Sequence, residues 1–543
     1  MFALSDGVVI DPADIPKVFF SHSYRGSNFI AYNLKFDSGS LLYNLPVSAL
    51  NTLRERNGVY HDGYHYKYIP HKMLRIRRGR NAVTFWDIYG FYGMSLDAAA
   101  KKHLGKSKLE VETKEFTREY VKSHYNQLAK YCVRDALLTK ELGDLFLTKL
   151  HKINLYPNNL YSTASVSFQY FKQNCDIVTV WRFWNECRPL LRYGCEAYYG
   201  GKVEVTARGS FTGYEYDINS AYASEISRLV DISDAKVKRL KRYDPAAWYG
   251  YYRVYIHDLT GIHHSIVHKR KNMNIYPAGS YYATVTQAEL EYLQAHNIDV
   301  KVLSGYGLYI KNIHYPYRST VHKLQAIKEE YKDKDLFVSN IAKLCNNSFY
   351  GKMAQLIEDP DGNLIAGVGW NSLYSSVITA NIRLKVVEVQ NALGDACIAV
   401  HTDAVTCTEP IPDRYIGDKF GQFMLKRQGK GIMIMSGMYQ LGDKSAYRGF
   451  RMGKGFSWYD KLSNMGTRSK TVLSFREAKS WISAVIQNKP EEINRFMDMT
   501  KELDLNAESK RLWLERTNAE KLLSSLEVSL PILYNEPYDR HRR

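Results

Sequence analysis

The chain has no apolar run approaching the ~20 residues of a membrane-spanning helix, no internal repeat and no low-complexity linker. Its seven cysteines, at 132, 175, 187, 195, 345, 397 and 407, are odd in number and scattered. No two have the spacing of a metal knuckle, which suits buried thiols in a reducing compartment rather than a disulfide framework. The opening MFALSDGVVID has neither a basic flank nor a long apolar core, so it does not read as a secretion signal. These absences predict a soluble, cytoplasmic chain (in the host cytoplasm, if viral) with no membrane contact, expected to be a monomer. Acidic residues are in deficit: Lys plus Arg number 74 against 56 Asp plus Glu, a formal net charge of +18. An excess of that size suits a polyanionic partner, because neutralised phosphates release counterions, although charge alone fits a basic soluble protein equally well. Tyrosine is abundant, with 43 residues; tyrosines stack on bases, but most are expected to fill cores.

A chain of 543 residues, 45% of them hydrophobic, should form about three to five packed units. Residues 1–150 mix strand patterns (FIAYNLKF, AVTFWDIYGFY) with helical ones near Tyr120 to Leu150, which predicts an α/β unit. Residues 151–190 read as a helical, aromatic connector. Strands dominate from Gly194 to about Tyr309. The stretch 318–352 has helical periodicity broken near Lys332–Asp335, predicting an antiparallel helix pair. Strands return over 360–455, with one helix near Thr379–Ala392. The last 85 or so residues read as helical and charged, ending in DRHRR.

Three segments carry candidate chemistry. In Tyr214-Glu-Tyr-Asp-Ile-Asn-Ser-Ala-Tyr222 an alternating strand delivers Asp217 at its end, where a fixed backbone can aim a carboxylate into a cleft; taken alone, such an aspartate is usually a turn or cap. In Lys343-Leu-Cys-Asn-Asn-Ser-Phe-Tyr-Gly351, Lys343, Asn347 and Tyr350 fall at i, i+4 and i+7 on one helix face, and Asn340 extends it by a turn. A cation, an amide and an aromatic ring in that row suit a triphosphate, a sugar and a base, whereas an ordinary helix would carry them as a solvated face with Gly351 as its C-cap. In Cys397-Ile-Ala-Val-His-Thr-Asp-Ala-Val-Thr-Cys407, strand alternation would put His401 and Asp403 on the same face. An aspartate in so apolar a strand requires a cation or donors, unless it sits at a hairpin turn.

Together these segments resemble, in order and spacing, the three polymerase motifs of family B DNA polymerases. Asp217-Ile-Asn-Ser-Ala-Tyr222 resembles Asp-x-x-Ser-Leu-Tyr-Pro, with Ala221 for Leu and Ala223 for Pro. Lys343 to Gly351 matches Lys-x3-Asn-Ser-x-Tyr-Gly at every defined position. His401-Thr-Asp-Ala404 resembles Asp-Thr-Asp-Ser, with His401 for the first acid. Tyr198-Tyr-Gly200-Gly201 is similar to the Tyr-x-Gly-Gly link between exonuclease and polymerase parts, which touches template. Asn33-Leu-Lys-Phe36-Asp37 and Tyr131-x3-Asp135 resemble the second and third proofreading-exonuclease motifs, and Ser95-Leu96 the pair that binds single-stranded DNA there. The compact length points to the protein-primed subgroup of phages, viruses and linear plasmids.

The resemblance implies an α/β multidomain fold: a right-hand polymerase of palm, fingers and thumb with an N-terminal ribonuclease H-like exonuclease domain, expected to be truncated. Residues 1–150 would be exonuclease-like, 151–193 a helical connector, 194–317 palm with a terminal-protein-region-like insertion, 318–352 fingers, 353–460 palm, and 461–543 thumb and C-terminal helices. Asp217 and Asp403 would hold two Mg²⁺ ions (Mn²⁺ as a substitute), with the Ile218 carbonyl, and His401 as a further candidate ligand. Lys343 would pair with triphosphate oxygens, and Ser220, Ala221, Tyr222, Asn347 and Tyr350 would line the nucleotide pocket, Tyr222 excluding a 2′-hydroxyl. Lys328 and Lys332 are further candidates for phosphate contact. Tyr198, Gly200, Gly201, Ser95, Leu96, Tyr439 and Lys454 would contact DNA. The expected partners are primer-template DNA, deoxynucleoside triphosphates and, as a candidate, a terminal protein.

Departures from the family pattern qualify this expectation. No Asp-x-Glu pair precedes Asn33, which predicts impaired 3′→5′ proofreading from Asn33, Phe36, Asp37, Tyr131 and Asp135 as a remnant. His401 replaces an acid, which predicts reduced or altered-metal activity, restored by Asp at that position. The primer-binding Lys-x-Tyr appears as Gly437-Met-Tyr439, with Lys454 as a compensating cation. The short span from Lys343 to Asp403 predicts an insertion reduced to a hairpin near Asp359–Asn363. The alternative is a degenerate polymerase that binds DNA as a replication scaffold.

Overall fold

The computed structural model describes all residues except 112–117, 360–361, 451, 454 and 540–543. No helix among the described residues is long and apolar enough to cross a membrane.

The N-terminal region is built on a five-stranded sheet ordered Asn28–Ala31, Asn81–Asp87, Met73–Arg78, Tyr64–Ile69, Gly58–His61. The alternation in Tyr64–Ile69 buries Tyr64, Tyr66 and Tyr68 on one face, as a period of two requires. The Asn28–Ala31 strand pairs in parallel with Asn81–Asp87 and forms the sheet's edge. It is shorter than the FIAYNLKF pattern suggests. Asn33 adopts φ 65°, and the Asp87 carboxylate accepts the backbone N–H groups of Asn33 and Leu34, each at 2.9 Å. That bond pair ends the strand and opens the helix Leu34–Leu41. A 28-residue helix, Tyr125–Lys152, packs against the same edge strand.

The connector is helical as expected: Thr163–Asn174, Trp181–Glu186 and Arg188–Ala197. It leads into the central sheet, whose strands run in the order Lys444–Tyr447, Met438–Leu441, Phe423–Met435, Ala207–Ile218, Ala404–Cys407, Cys397–Thr402, Lys202–Val205. Beneath this sheet lies the helix Ser372–Leu393, apolar on most sides and almost wholly buried. Its one deep cation, Arg383, is held by Glu289 at 2.8 Å and donates to the carbonyls of Ser265, Tyr199 and Gly200. A charge so buried is tolerable only with its donors fully satisfied, and here the satisfaction fixes the Tyr198–Gly201 loop. A second sheet carries Lys236–Leu240, Asp299–Tyr309, Tyr249–Asp258, Ala278–Thr286 and Leu533–Asn535 in that order.

The expected helix pair is present as Arg318–Glu330 and Leu336–Ser348. Asp335 caps the second helix by accepting from Val338 at 3.3 Å, and Lys149 and Lys152 hold it at 2.5 and 3.1 Å. The expected hairpin is Leu356–Glu358 against Leu364–Ala366; its tip, residues 360–361, lies outside the described residues.

The reading of the last 85 residues as helical is corrected by the structure. Only short helices occur there, and the main feature is an antiparallel hairpin of Lys470–Ala478 with Phe496–Asp504. Charges in this stretch instead pair across strands: Lys470 lies opposite Asp504 at 3.3 Å and reaches Glu502 at 2.8 Å. Opposite charges on facing strands stabilise a sheet by a few tenths of a kcal/mol to about 1 kcal/mol each.

Candidate active site

The strand Ala207–Ile218 lies inside the central sheet, with Asp217 opposite Ala404 on one flank and Met424 on the other. Asp403 occupies the turn between Cys397–Thr402 and Ala404–Cys407. Its carbonyl accepts the Ile218 N–H at 2.9 Å, so the turn is tied to the residue after Asp217. Two carboxylates brought together out of water resist ionising together. Burial, and then the Asp217 charge, push the Asp403 carboxyl up to about 6. Burial likewise raises Asp217, against the pull of Lys426 and Lys343. Lys426 Nζ lies 3.6 Å from Asp217 Oδ2.

The turn is unusual. Thr402 has φ 65°, a strained region for a β-branched residue, and the Asp403 N–H donates to the His401 carbonyl at 2.8 Å. Gly201 accommodates it: a Cβ there would fall 2.5 Å from Thr402 Cγ2 and 2.9 Å from its Cα. The last glycine of Tyr-x-Gly-Gly is therefore required by the Asp403 turn itself. Gly200 faces open space.

The same turn interrupts the alternation expected to place His401 beside Asp403. The His401 ring stacks on Tyr439 with centroids 5.2 Å apart and planes at 14°. Burial lowers its pKa to about 4, and the charges that act on it are Lys444, Lys510 and Glu508. Neither Asp217 nor Asp403 is among them. His401 is thus a buried, neutral ring whose Nε2 has no hydrogen-bond partner among the described residues. Tyr439 is 8% exposed and its hydroxyl donates to Glu215 at 3.3 Å, so it braces the sheet. Lys454 lies outside the described residues.

Of the residues expected to line a nucleotide pocket, Tyr222 and Lys343 interact electrostatically with the carboxylates. Ser220, at φ 52°, turns the chain from the Asp217 strand into the short helix Ala221–Ile226; Ala221 is buried there. Tyr222 stacks on Tyr350, with centroids 4.1 Å apart and planes at 18°. Its hydroxyl is held far above its usual range by burial, then by Tyr350, with Asp403 and Tyr198 contributing. The helix Leu336–Ser348 buries Ile341, Ala342, Cys345 and Asn346, and Phe349 just beyond it stacks on Phe171 at 3.9 Å. That anchoring leaves Lys343 exposed, and its charge acts on both carboxylates. Asn347 Oδ1 is buried without a hydrogen-bond partner among the described residues, as a group awaiting a ligand would be. The helix resumes at Tyr350–Met353, so Gly351 is not a C-cap; it packs on Ala164, where a Cβ would meet another at 3.5 Å. Lys328 pairs with Glu329 at 3.3 Å, and Lys332 is exposed.

A family model described as DNA polymerase type B, organellar and viral, matches residues 88–362. The chain belongs to the type B DNA polymerases of the organellar and viral kind. The match includes Asp217 and the Lys343–Gly351 segment and stops before Asp403. No curated protein matches the sequence. Among solved structures, the chain is similar to Phi29 DNA polymerase complexed with primer-template DNA and incoming nucleotide substrates: 15% identity, 91% of this chain and 93% of that one, TM-score 0.60. A post-translocation complex of the same polymerase with primer-template DNA gives 18%, 79% of each chain and 0.55. At these identities the likeness shows a shared fold.

In the N-terminal region of this family member, Asp37 and Asp135, two of the residues expected of an exonuclease, lie near each other and near Asp87. Burial, then Asp87 and Asp135, push the Asp37 carboxyl up to about 7. Asp135, on the helix Tyr125–Lys152, is paired with Lys108 at 2.5 Å, and the same ammonium lies 4.8 Å above the Tyr131 ring. Asp87 spends both oxygens on backbone N–H groups. Asn33 and Phe36 are exposed. Ser95 caps the helix Leu96–Leu104, accepting from Ala98 at 3.3 Å. Among the described residues, no group of three or more His, Cys, Asp or Glu is arranged to hold a metal. Sequence reasoning missed Asp87, Lys108 and Lys426. Asp87 could have been suspected as an acid ending an apolar strand; nothing local marks the two lysines.

At the Asp217–Asp403 pair the donor set is two hard carboxylates with raised proton affinity. Mg²⁺ is commonly held by one or two carboxylates plus substrate phosphates, and the pair fits that pattern without His401.

Proposed function

We propose that the chain is a template-directed DNA polymerase that adds deoxynucleotides to a primer 3′-hydroxyl, with Asp217, Asp403 and the Ile218 carbonyl holding divalent metal. One observation carries this reading: the pairing of Asp217 with Ala404, closed by the Ile218–Asp403 hydrogen bond, juxtaposes two carboxylates that Lys343 reaches electrostatically. When bound, two Mg²⁺ or Mn²⁺ ions would supply charge neutralisation and a clamp for in-line phosphoryl transfer. The chain's own groups do the rest. Lys343 receives the triphosphate. Tyr222, locked by its stack on Tyr350, presents a rigid ring to the sugar and favours deoxynucleotides. Asn347 offers its unpartnered amide oxygen to the incoming nucleotide. Tyr198 and the Gly200–Gly201 loop, pinned by Arg383, meet template. The palm, fingers and thumb assignments, the protein-primed mode with a terminal protein, and a largely silent exonuclease complete the proposal. The last follows because Asp37, Asp87 and Asp135 are committed to mutual repulsion, backbone donors and Lys108.

Extension of a primed template with Mg²⁺ and Mn²⁺ tests it. Incorporation that disappears in Asp217→Ala and in Asp403→Ala is expected. Primer-template binding without any incorporation would replace this reading with that of a DNA-binding scaffold.

A further inference from the structure

At the far end of the helix that leads into the Tyr198–Gly201 loop there is a cavity of about 430 Å³, in the size range of nucleotide sites. It opens between the helix Arg188–Ala197 and the second sheet, and is lined by Arg188, Arg192, Arg239 and Arg253 with Tyr193 and Tyr306. Glu196 takes Arg253 in a two-bond pair at 2.8 and 2.9 Å and Arg192 at 2.9 Å. Four guanidiniums therefore share one carboxylate, leaving a net charge of +3. Arg239, in the strand Lys236–Leu240, has no side-chain hydrogen bond or ion pair among the described residues. The floor is rigid: Tyr193 and Ser304 share a 2.7 Å hydrogen bond, Tyr306 meets Tyr193 edge-on at 5.1 Å, and Arg253 lies 4.5 Å over the Tyr193 ring.

An aromatic platform adjoins this basic pocket. Arg188 donates to the Trp184 carbonyl at 2.9 Å and its guanidinium lies 5.3 Å over the Trp184 ring. Trp181 and Trp184, edge-to-face at 6.5 Å, are 58% and 42% exposed. Water-exposed tryptophan pairs are unfavourable unless something covers them. Beyond them a second hollow reaches Trp370 and the base of the Leu356–Glu358/Leu364–Ala366 hairpin.

We propose that this strip is a binding site for single-stranded DNA, separate from the polymerising centre: the arginine pocket takes a backbone phosphate and the tryptophans stack the neighbouring bases. Guanidiniums suit phosphate geometry, and base–aromatic stacking beside a basic groove is the general mode of sequence-tolerant single-strand binding. An acidic protein would satisfy the arginines but give the exposed indole faces no planar partner. The inference goes beyond the polymerase reading and rests on it only in taking DNA as the chain's partner.

The test is fluorescence anisotropy of the full chain with a labelled oligothymidylate across a salt series. Arg188→Glu with Arg239→Glu should lower affinity by tenfold or more at low salt. It should also flatten the slope of log K against log salt by about 0.7, the contribution of one single-strand phosphate contact. Trp181→Ala with Trp184→Ala should lower affinity by about tenfold with the slope unchanged, because stacking releases no counterions. If the charge reversal unfolds the chain, Arg188→Gln with Arg239→Gln is the replacement, read the same way. Unchanged affinity in either pair overturns the site. So does an equal loss in Lys269→Glu with Arg270→Glu, which would mean only a general field. Competition by free deoxynucleoside triphosphate alone would assign the pocket to mononucleotides, and competition by polyglutamate alone to an acidic protein; both results refute the strand. A wild-type chain that binds through this strip yet extends no primer would fail the polymerase reading and keep this one.

Discussion

Replacing Asp403 by Asn should stabilise the metal-free chain while destroying incorporation. The carboxyl is held at about 6 against an ordinary 3.8, so keeping it ionised at neutral pH costs at most about 3 kcal/mol, at 1.36 kcal/mol per unit. Partial solvent access reduces that to about 1–2 kcal/mol. The sign follows from proton linkage. A carboxyl whose folded value exceeds its unfolded one binds protons preferentially in the folded state, so it lowers stability as pH rises from about 4 to 6 and costs a constant amount above that. Asn keeps the acceptor oxygen and does not titrate. In EDTA at pH 7.5, Asp403→Asn should unfold at higher denaturant than the wild type, and the two should converge as the pH falls below about 4. Adding Mg²⁺ should raise the wild-type midpoint, since a ligand that binds only the folded form stabilises it, and leave the variant almost unmoved. A variant that is less stable in EDTA at pH 7.5, or that gains as much from Mg²⁺ as the wild type, would refute the assignment.

Four further outcomes are expected. Tyr222→Val removes the ring that stacks on Tyr350, so the preference for deoxy- over ribonucleotides, measured as a ratio of kcat/KM values, should fall by ~10-fold or more; an unchanged ratio would detach Tyr222 from sugar selection. His401→Asp should not raise incorporation or lower the Mg²⁺ requirement, because the new carboxylate would meet Lys444 and Lys510 instead of the metal pair; a clear gain would return position 401 to the metal site. Lys426→Met should lower the Mg²⁺ concentration needed for half-maximal extension, because the ammonium competes for Asp217; a higher requirement would make Lys426 a substrate contact. A mismatched, end-labelled primer should survive incubation with the chain and Mg²⁺, with Asp37→Ala indistinguishable from wild type; rapid shortening that Asp37→Ala abolishes would mean the exonuclease site is complete.

What could be read from the chain in advance was what local spacing encodes. The face of Lys343, Asn347 and Tyr350 follows from helical period, and its motif is specific enough to identify a family. Asp217 follows from an alternating strand that ends in an acid. The helix pair broken at Asp335 and the shortened hairpin were legible for the same reason. The shared face of His401 and Asp403 was expected from strand alternation, which assumes a regular backbone, and Thr402 at φ 65° departs from it. The C-terminal charges were misassigned because their partners lie across a hairpin some 30 residues away, where one-dimensional periodicity does not reach. Lys108 and Lys426 were invisible because each acts on a carboxylate brought near only by the tertiary fold.

The metal-site candidate depends on two local departures from sheet regularity. One is the left-handed turn at Thr402, where the Asp403 carbonyl is tied to the Ile218 N–H. The other is on the facing strand, where Leu425 pairs with Tyr216 and Arg427 with Glu215, so that the register shifts and Lys426 is the extra residue. A bulge of this kind re-aims a side chain. Arg427 goes to Glu215 at 3.3 Å while Lys426 goes to Asp217 at 3.6 Å. Without the bulge, consecutive residues would point to opposite faces and only one of these cations could serve its carboxylate. The chain thus carries one permanent ammonium beside a pair of acids that would otherwise repel with no counter-charge but the exposed Lys343. That arrangement lets the acids persist in a metal-free protein, and it predicts that metal affinity and metal-free stability move in opposite directions when Lys426 is changed.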